Sequence, residues 1–139
     1  MNLPSNLKFL VVDDSSAIQD LIVRTINRMG FSKVDVAKDV NQAWLKIENK
    51  FNNNDQYDFI VSDLNMPGPN GLEFLKQVRG TEQLKEIPFL LITTESEKTM
   101  VMKAVMSGVS EYVVKPFDFD TFSKKVIAGY KKHNETKVA

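Results

Sequence analysis

The sequence contains no cysteine, which excludes disulfide staples and every thiolate metal site. It carries no surplus of either charge, because Lys+Arg and Asp+Glu stand at 18 each. The basic footprint of a nucleic-acid binder is therefore missing. No apolar stretch approaches the length of about 18 residues at which a membrane-spanning helix is read. The opening MNLPSNLKFLVV holds one short apolar run and no cleavage-site pattern, so no signal peptide is expected. Low-complexity linkers and internal repeats are also lacking. The triplet Asn134-Glu135-Thr136 fits a glycosylation acceptor but carries no weight without secretion. A soluble cytoplasmic protein is expected, with no nucleic-acid partner and no membrane attachment.

What is present is an ordinary globular composition: 139 residues, 42% hydrophobic, enough for one domain with a real core. Apolar runs alternate with helical periods. The runs are Leu7 to Val12, Val34 to Ala37, Tyr57 to Ser62, Pro88 to Thr93 and Glu111 to Val114. Most are continuous, as in strands buried on both faces. Between them, Ile18, Leu21, Ile22, Thr25, Ile26 and Met29 follow helical spacing until Gly30, and Ser16 with Gln19 fits a capping box. Val40, Ala43, Trp44, Ile47 and Phe51 form a second stripe, followed by a polar Asn52-Asn53-Asn54-Asp55 loop. Leu72, Leu75 and Val78 form a third, stopped by Gly80; Val101, Ala104, Val105 and Gly108 a fourth; Phe119, Phe122, Val126, Ile127 and Tyr130 a fifth.

The pattern predicts an α/β fold, (βα)5, with a doubly wound five-stranded parallel sheet. One common order is 2-1-3-4-5, whose site lies beyond the carboxyl ends of the strands, between the first and the third. At those ends stand Asp13-Asp14, Asp63, Thr93-Thr94 and Lys115-Pro116. Asp63 opens into LNMPGPNG, where two prolines and two glycines forbid both strand and helix; Gly68-Pro69 and Gly71 supply turn chemistry.

Each feature has a plain structural reading. An aspartate after a strand usually caps a helix or a turn. Asp13-Asp14-Ser15-Ser16 can start a helix, Thr93-Thr94 with Glu97 can be a capping box, and Lys-Pro is a common loop dipeptide. Their joint placement, each at the end of a different strand, is poorly explained that way. Three carboxylates in a small volume repel, a hard divalent cation such as Mg2+ relieves them, and Lys115 adds a compact positive charge. An aspartate there can act as a nucleophile towards phosphorus, with the cation and the lysine stabilising the moving phosphoryl oxygens.

The segments LVVDDS, SDLNMPGPNG, LLITTE and YVVKPF together resemble the receiver domain of bacterial two-component response regulators, most closely the single-domain chemotaxis type. The likeness runs from about residue 7 to 132, at the family's spacing from Asp63 to Thr93 and Lys115. It implies that Asp63 is the phosphoacceptor, and that Asp14 is a direct Mg2+ ligand with Asp13 assisting through water. It also implies a metal set completed by Asp63 and the Asn65 backbone carbonyl. By the same likeness Thr93 is the switch hydroxyl, Tyr112 the switch aromatic, and Lys115 the family's lysine, with a cis bond to Pro116. Asn65 and Glu95 resemble the residues that tune autodephosphorylation in the chemotaxis type. Leu64 departs from an aromatic and Thr94 from a small residue, and the larger Thr94 side chain narrows access to the phosphoryl group.

The resemblance implies a signalling switch rather than an enzyme, with phosphotransfer and autodephosphorylation self-catalysed. Its implied partners are a histidine kinase as phosphodonor, a phosphatase, and a downstream protein such as the flagellar motor switch. The output face implied is the fourth helix, fifth strand and fifth helix; Met102 and Met106, four apart, with Tyr112 would form a docking patch there. A phosphorelay receiver or a receiver in another pathway is the alternative. A Mg2+-dependent phosphohydrolase is disfavoured because Asn65 cannot act as general acid two residues after the nucleophile. A flavodoxin-like cofactor binder is disfavoured because DDSS repels phosphate unless a metal intervenes. A stand-alone chain is expected from Met1 and the short tail, and a monomer is expected, with residues 133–139 a polar, frayed end in which His133 has no ligand role.

Overall fold

A computed structural model describes residues 3–134, apart from the side chain of Glu95. Five parallel strands form one sheet in the order β2-β1-β3-β4-β5. They are β1 (Lys8–Val12), β2 (Lys33–Ala37), β3 (Phe59–Asp63), β4 (Phe89–Thr93) and β5 (Glu111–Val114). The helices are α1 (Ser16–Arg28), α2 (Val40–Asn52), α3 (Gly71–Arg79), α4 (Lys98–Met106) and α5 (Phe119–Asn134). This is the doubly wound (βα)5 architecture that the alternation of runs and stripes predicts.

The pleat divides the core in two. Phe9, Val11, Phe59, Val61, Leu90 and Ile92 point to the side covered by α1 and α5, where Ile22, Ile26, Phe122 and Val126 meet them. Leu10, Val12, Ile60, Phe89 and Leu91 point to the other side, under α2, α3 and α4, against Ala43, Ile47, Phe74 and Leu75. β3 and β4 are buried along their whole length, as continuous apolar runs require, whereas the edge strands β2 and β5 are only partly covered. Trp44 lies at the margin of the second layer, edge-on to Phe74, with its indole N–H donated to Gln77.

Several local expectations change. The α1 cap is Ser15, whose hydroxyl accepts from the Ile18 amide, not Ser16. Gln19 does not complete a box; its amide reaches the carbonyls of Asp13 and Ala37. Leu21, Val105 and Gly108, which the helical spacing assigns to buried stripes, are exposed. Gly71 is not a turn residue. It opens α3, where a Cβ would lie 2.3 Å from the Asp63 carbonyl oxygen and 2.9 Å from the Leu64 Cα. Glycine is needed there for close approach, and Asn70 with Glu73 makes a reciprocal capping box beside it.

The α5 helix runs to Asn134, so His133 is part of a packed helix rather than of a frayed tail; residues 135–139, and the rest of the glycosylation triplet, lie outside the described residues. The Ser110 hydroxyl oxygen, buried before β5, is 2.7 Å from His133 Nε2. The same oxygen accepts from the Phe89 amide at 2.9 Å and from Arg79 at 3.3 Å. Both its lone pairs are used, so its own proton goes to a neutral imidazole. His133 Nδ1 faces Glu86 at 3.5 Å. Burial, and then the Arg79 charge, hold the imidazole below its usual pKa; Glu86 opposes this and Lys132 adds to it.

Because the folded state binds its proton less readily than the unfolded chain, the stability tied to this anchor is complete above the ordinary histidine value of about 6.5. It declines as pH falls through the lowered folded value. The stability difference between the parent and His133→Gln, measured by urea unfolding, should therefore shrink from pH 7.5 to pH 5.5. A difference that stays constant or grows on acidification would contradict a neutral, partly buried His133.

Candidate functional site

The register of the parallel sheet brings the strand ends together. Val12 pairs with Ser62, Asp63 with Ile92, and Thr93 with Val114. The residues just past β1 and β5 therefore flank the ends of β3 and β4. Backbone bonds fix these exits: the Asp13 amide on the Ala37 carbonyl at 3.0 Å, the Leu64 amide on Ile92 at 2.8 Å, and the Lys115 amide on Thr93 at 2.7 Å. Asp63 is the last residue of β3 itself, one position further into the strand than the sequence pattern suggests.

Oxygens of Asp13, Asp14 and Asp63 lie within 4.8 Å of one another. Asp13 and Asp63 are buried and Asp14 is exposed. The Lys115 ammonium stands 3.2 Å from Asp63 Oδ1. Asp13 Oδ1 accepts from the Ser15 amide at 2.9 Å, while Asp13 Oδ2 is buried with no hydrogen-bond partner. Lys115-Pro116 is a cis peptide bond.

Burial dominates the electrostatics. It pushes the Asp13 carboxyl up to about 6, with Asp63 and Asp14 adding repulsion and the Ser15 amide and Lys115 opposing. Asp63 is likewise raised, chiefly by burial, although Lys115 and the Asn65 amide pull the other way. A bonded lysine normally lowers its partner's pKa, so here desolvation outweighs the ion pair. An all-oxygen cluster with one orphaned buried carboxylate oxygen matches what a hard divalent cation takes as ligands. The donor set thus fits Mg2+, with Asp13, Asp14 and Asp63 as the carboxylates able to hold it.

Thr93 is fully buried, and its hydroxyl lies 3.2 Å from Glu97 Oε1 and 3.3 Å from the Thr94 carbonyl. Thr94 and Glu97 form a reciprocal capping box at the 3-10 turn Glu95–Glu97 that leads into α4. That bland reading of TTESE is correct, yet the box also takes the Thr93 hydroxyl, which the spacing alone does not reveal. Leu64 is buried in the α2–α3–α4 layer of the core, and the side chain of Glu95 lies outside the described residues. Met102 and Met106 are exposed on α4, and Val105, which shares their face, joins them. Tyr112 on β5 is 36% exposed, with the Lys125 ammonium 5.5 Å from its ring centre. Asp13, Asp14, Asp63, Thr93 and Lys115 converge on the carboxyl edge, while the methionines and Tyr112 lie on the α4–β5 side. Gln19 and Gly71 are supports that the sequence reading cast in other roles.

Comparison with known proteins agrees with this geometry. Residues 9–127 match the family model of the response regulator receiver domain. The chain is 39% identical over 120 residues to the chemotaxis protein CheY1 of Helicobacter pylori, covering 86% of this chain and 94% of that protein. It is 35% identical over 124 residues to the chemotaxis protein CheY-3 of Vibrio cholerae, covering 89% and 92%. The crystal structure of Vibrio cholerae CheY4 superposes with a TM-score of 0.77 at 34% identity, covering 88% of this chain and 97% of that one. A response regulator receiver domain from Clostridium thermocellum, at 20% identity and a TM-score of 0.82 over 96% and 99%, shares the fold.

The raised Asp13 value has a consequence for stability without divalent ions. Above about 6 the folded protein holds Asp13 charged in a buried, repulsive place that the unfolded chain does not impose. The Asp13→Asn protein keeps the acceptor for Ser15 and should be more stable than the parent at pH 7.5 in EDTA, by about 1–3 kcal/mol. The gain should fade as pH falls from 6 towards the ordinary carboxylate range. A destabilised Asp13→Asn under those conditions, measured by urea denaturation, would contradict the electrostatic assignment.

Proposed function

The chain belongs to the response regulator receiver domain family, and on that premise we propose that it is a phosphorylation-driven switch whose phosphoacceptor is Asp63. The observation that carries the reading is the Lys115–Asp63 pair at 3.2 Å beside the Asp13–Asp14 carboxylates. In this reading a carboxylate oxygen of Asp63 attacks the phosphorus of a phosphohistidine on a histidine kinase. The N–P bond breaks, its electron pair returns to the imidazole, and an aspartyl phosphate forms. Lys115 moves its charge from the Asp63 carboxylate to a phosphoryl oxygen. Attack of water on the phosphorus later restores the carboxylate and releases inorganic phosphate, a step that a partner phosphatase would hasten.

Asp13, Asp14, Asp63 and the Asn65 carbonyl are the groups proposed to hold Mg2+. When bound, the cation would offset the carboxylate repulsion and stabilise negative charge on the transferring oxygens. Burial serves the same end, since charge on the phosphoryl oxygens is worth more in a site with little water. Thr93 is the hydroxyl proposed to meet the phosphoryl group, and Tyr112 the aromatic that reports this to the α4–β5–α5 face. There Met102, Val105 and Met106, at 68%, 57% and 86% exposure, present an adaptable apolar patch to a downstream protein. Chemotaxis is the favoured pathway because the curated relatives at 39% and 35% identity carry that name, with a chemotaxis-type kinase upstream and a flagellar motor component downstream.

Incubation with acetyl phosphate should add one phosphoryl group, seen by intact mass and lost on mild alkaline treatment. The gain should need Mg2+ and be missing in Asp63→Asn. A folded parent that gains nothing from acetyl phosphate or from any histidine kinase, or an Asp63→Asn protein that is still labelled, would overturn the assignment.

A further inference from the structure

Glu97 touches the candidate switch hydroxyl and stands at the start of the output helix. A single oxygen, Oε1, receives the Thr94 amide at 2.9 Å, the Thr94 hydroxyl at 2.8 Å and the Thr93 hydroxyl at 3.2 Å. Thr93 has one hydroxyl proton and is fully buried, so water offers it no substitute acceptor. The acceptors within reach are Glu97 and, more weakly aligned in distance, the Thr94 carbonyl. Bonds to an ionised acceptor are roughly twice as strong as neutral ones. Glu97 is also the last residue of the 3-10 turn and the residue just before α4. Its carboxylate therefore holds the hydroxyl and the start of the 3-10 turn that leads into α4 at once.

We propose that Glu97 is a positioning residue that competes with the phosphoryl group for the Thr93 hydroxyl, and so sets how readily the switch closes. The inference rests on the reading of Asp63 as phosphoacceptor and adds a residue to it. For Thr93 to donate to a phosphoryl oxygen it must leave Glu97 Oε1. The carboxylate then keeps two donors, both from Thr94, and the junction into α4 loses one of its ties to β4. Hydroxyl transfer and loosening of the α4 start are one event. The exposed face of Met102, Val105 and Met106 begins one turn further along that helix, so the change at the site is passed to the proposed docking surface by a direct chain of bonds.

The test is a double-mutant cycle read by beryllofluoride binding in the presence of Mg2+, followed by amide shifts in NMR. The four proteins are the parent, Glu97→Gln, Thr93→Val and the pair combined. Glutamine keeps an acceptor for the Thr94 amide, so the cap on the 3-10 turn before α4 survives, and an unchanged melting temperature verifies this. Glu97→Gln should tighten beryllofluoride binding on the order of 5-fold, by weakening a charge-assisted bond to a neutral one. With Thr93→Val already in place, the same change should give clearly less, since only the general loss of a negative charge remains. Equal tightening in both backgrounds, or none in the parent background, would overturn the role of Glu97 while leaving Asp63 untouched. A parent that binds no beryllofluoride would sink the phosphoacceptor reading, and the proposal with it.

Discussion

Two buried carboxylates, Asp13 and Asp63, are held side by side although burial and mutual charge both oppose it. The rest of the site depends on this constraint. Nothing in the side chains themselves favours the arrangement. The parallel sheet imposes it, because the registers of β1 with β3 and of β3 with β4 fix where each chain leaves its strand. The apolar layers on both sides of the sheet supply the free energy, and the strand ends absorb part of it as electrostatic strain. Lys115 offsets the strain only in part, and Asp13 Oδ2 has no hydrogen-bond partner among the described residues. A site left in this condition gains from any cation that joins it.

The two ends of the sheet are built on opposite principles. At the carboxyl end, polar groups are crowded and incompletely satisfied. At the other end, Arg79 donates to the carbonyls of Gly108 and Ile87 and to Ser110, and Ser110 is shared with Phe89 and His133. That network ties α3, β4, β5 and the last turn of α5 together, and its hydrogen bonds are complete. One end is thereby closely tied, and the segments that the proposed switch would rearrange lie at the other, in the turn from Thr93 to Glu97 and in the loop after Asp63. The proposed role of the shared Glu97 carboxylate couples that turn to the Thr93 hydroxyl.

The strand runs and helix stripes were legible because hydrophobic period reports burial directly, and the strand ends followed from topology. Asp13, Asp14, Asp63, Thr93 and Lys115 could be placed on one edge for that reason alone. What stayed hidden depends on side-chain direction. Gln19 read as a cap partner, yet its amide turns to the Asp13 carbonyl. Glycine at 71 read as turn chemistry, whereas the Asp63 carbonyl simply leaves no room for a Cβ. Val105 read as core because α4 is short and carries apolar residues on several faces, so spacing could not tell the buried Ala104 face from the exposed one. His133 read as tail because the last helical turn is polar, and only the position of Ser110 reveals its anchor.

A crystal structure of the protein grown with Mg2+ and beryllofluoride measures the central claim most directly. Beryllium joined to an Asp63 carboxylate oxygen, Lys115 on a fluoride, and the cation against Asp13 and Asp14 is the arrangement that a crowded, cation-seeking edge predicts. Beryllium on Asp14 or nowhere at the sheet edge, or a cation bound away from these carboxylates, would contradict it.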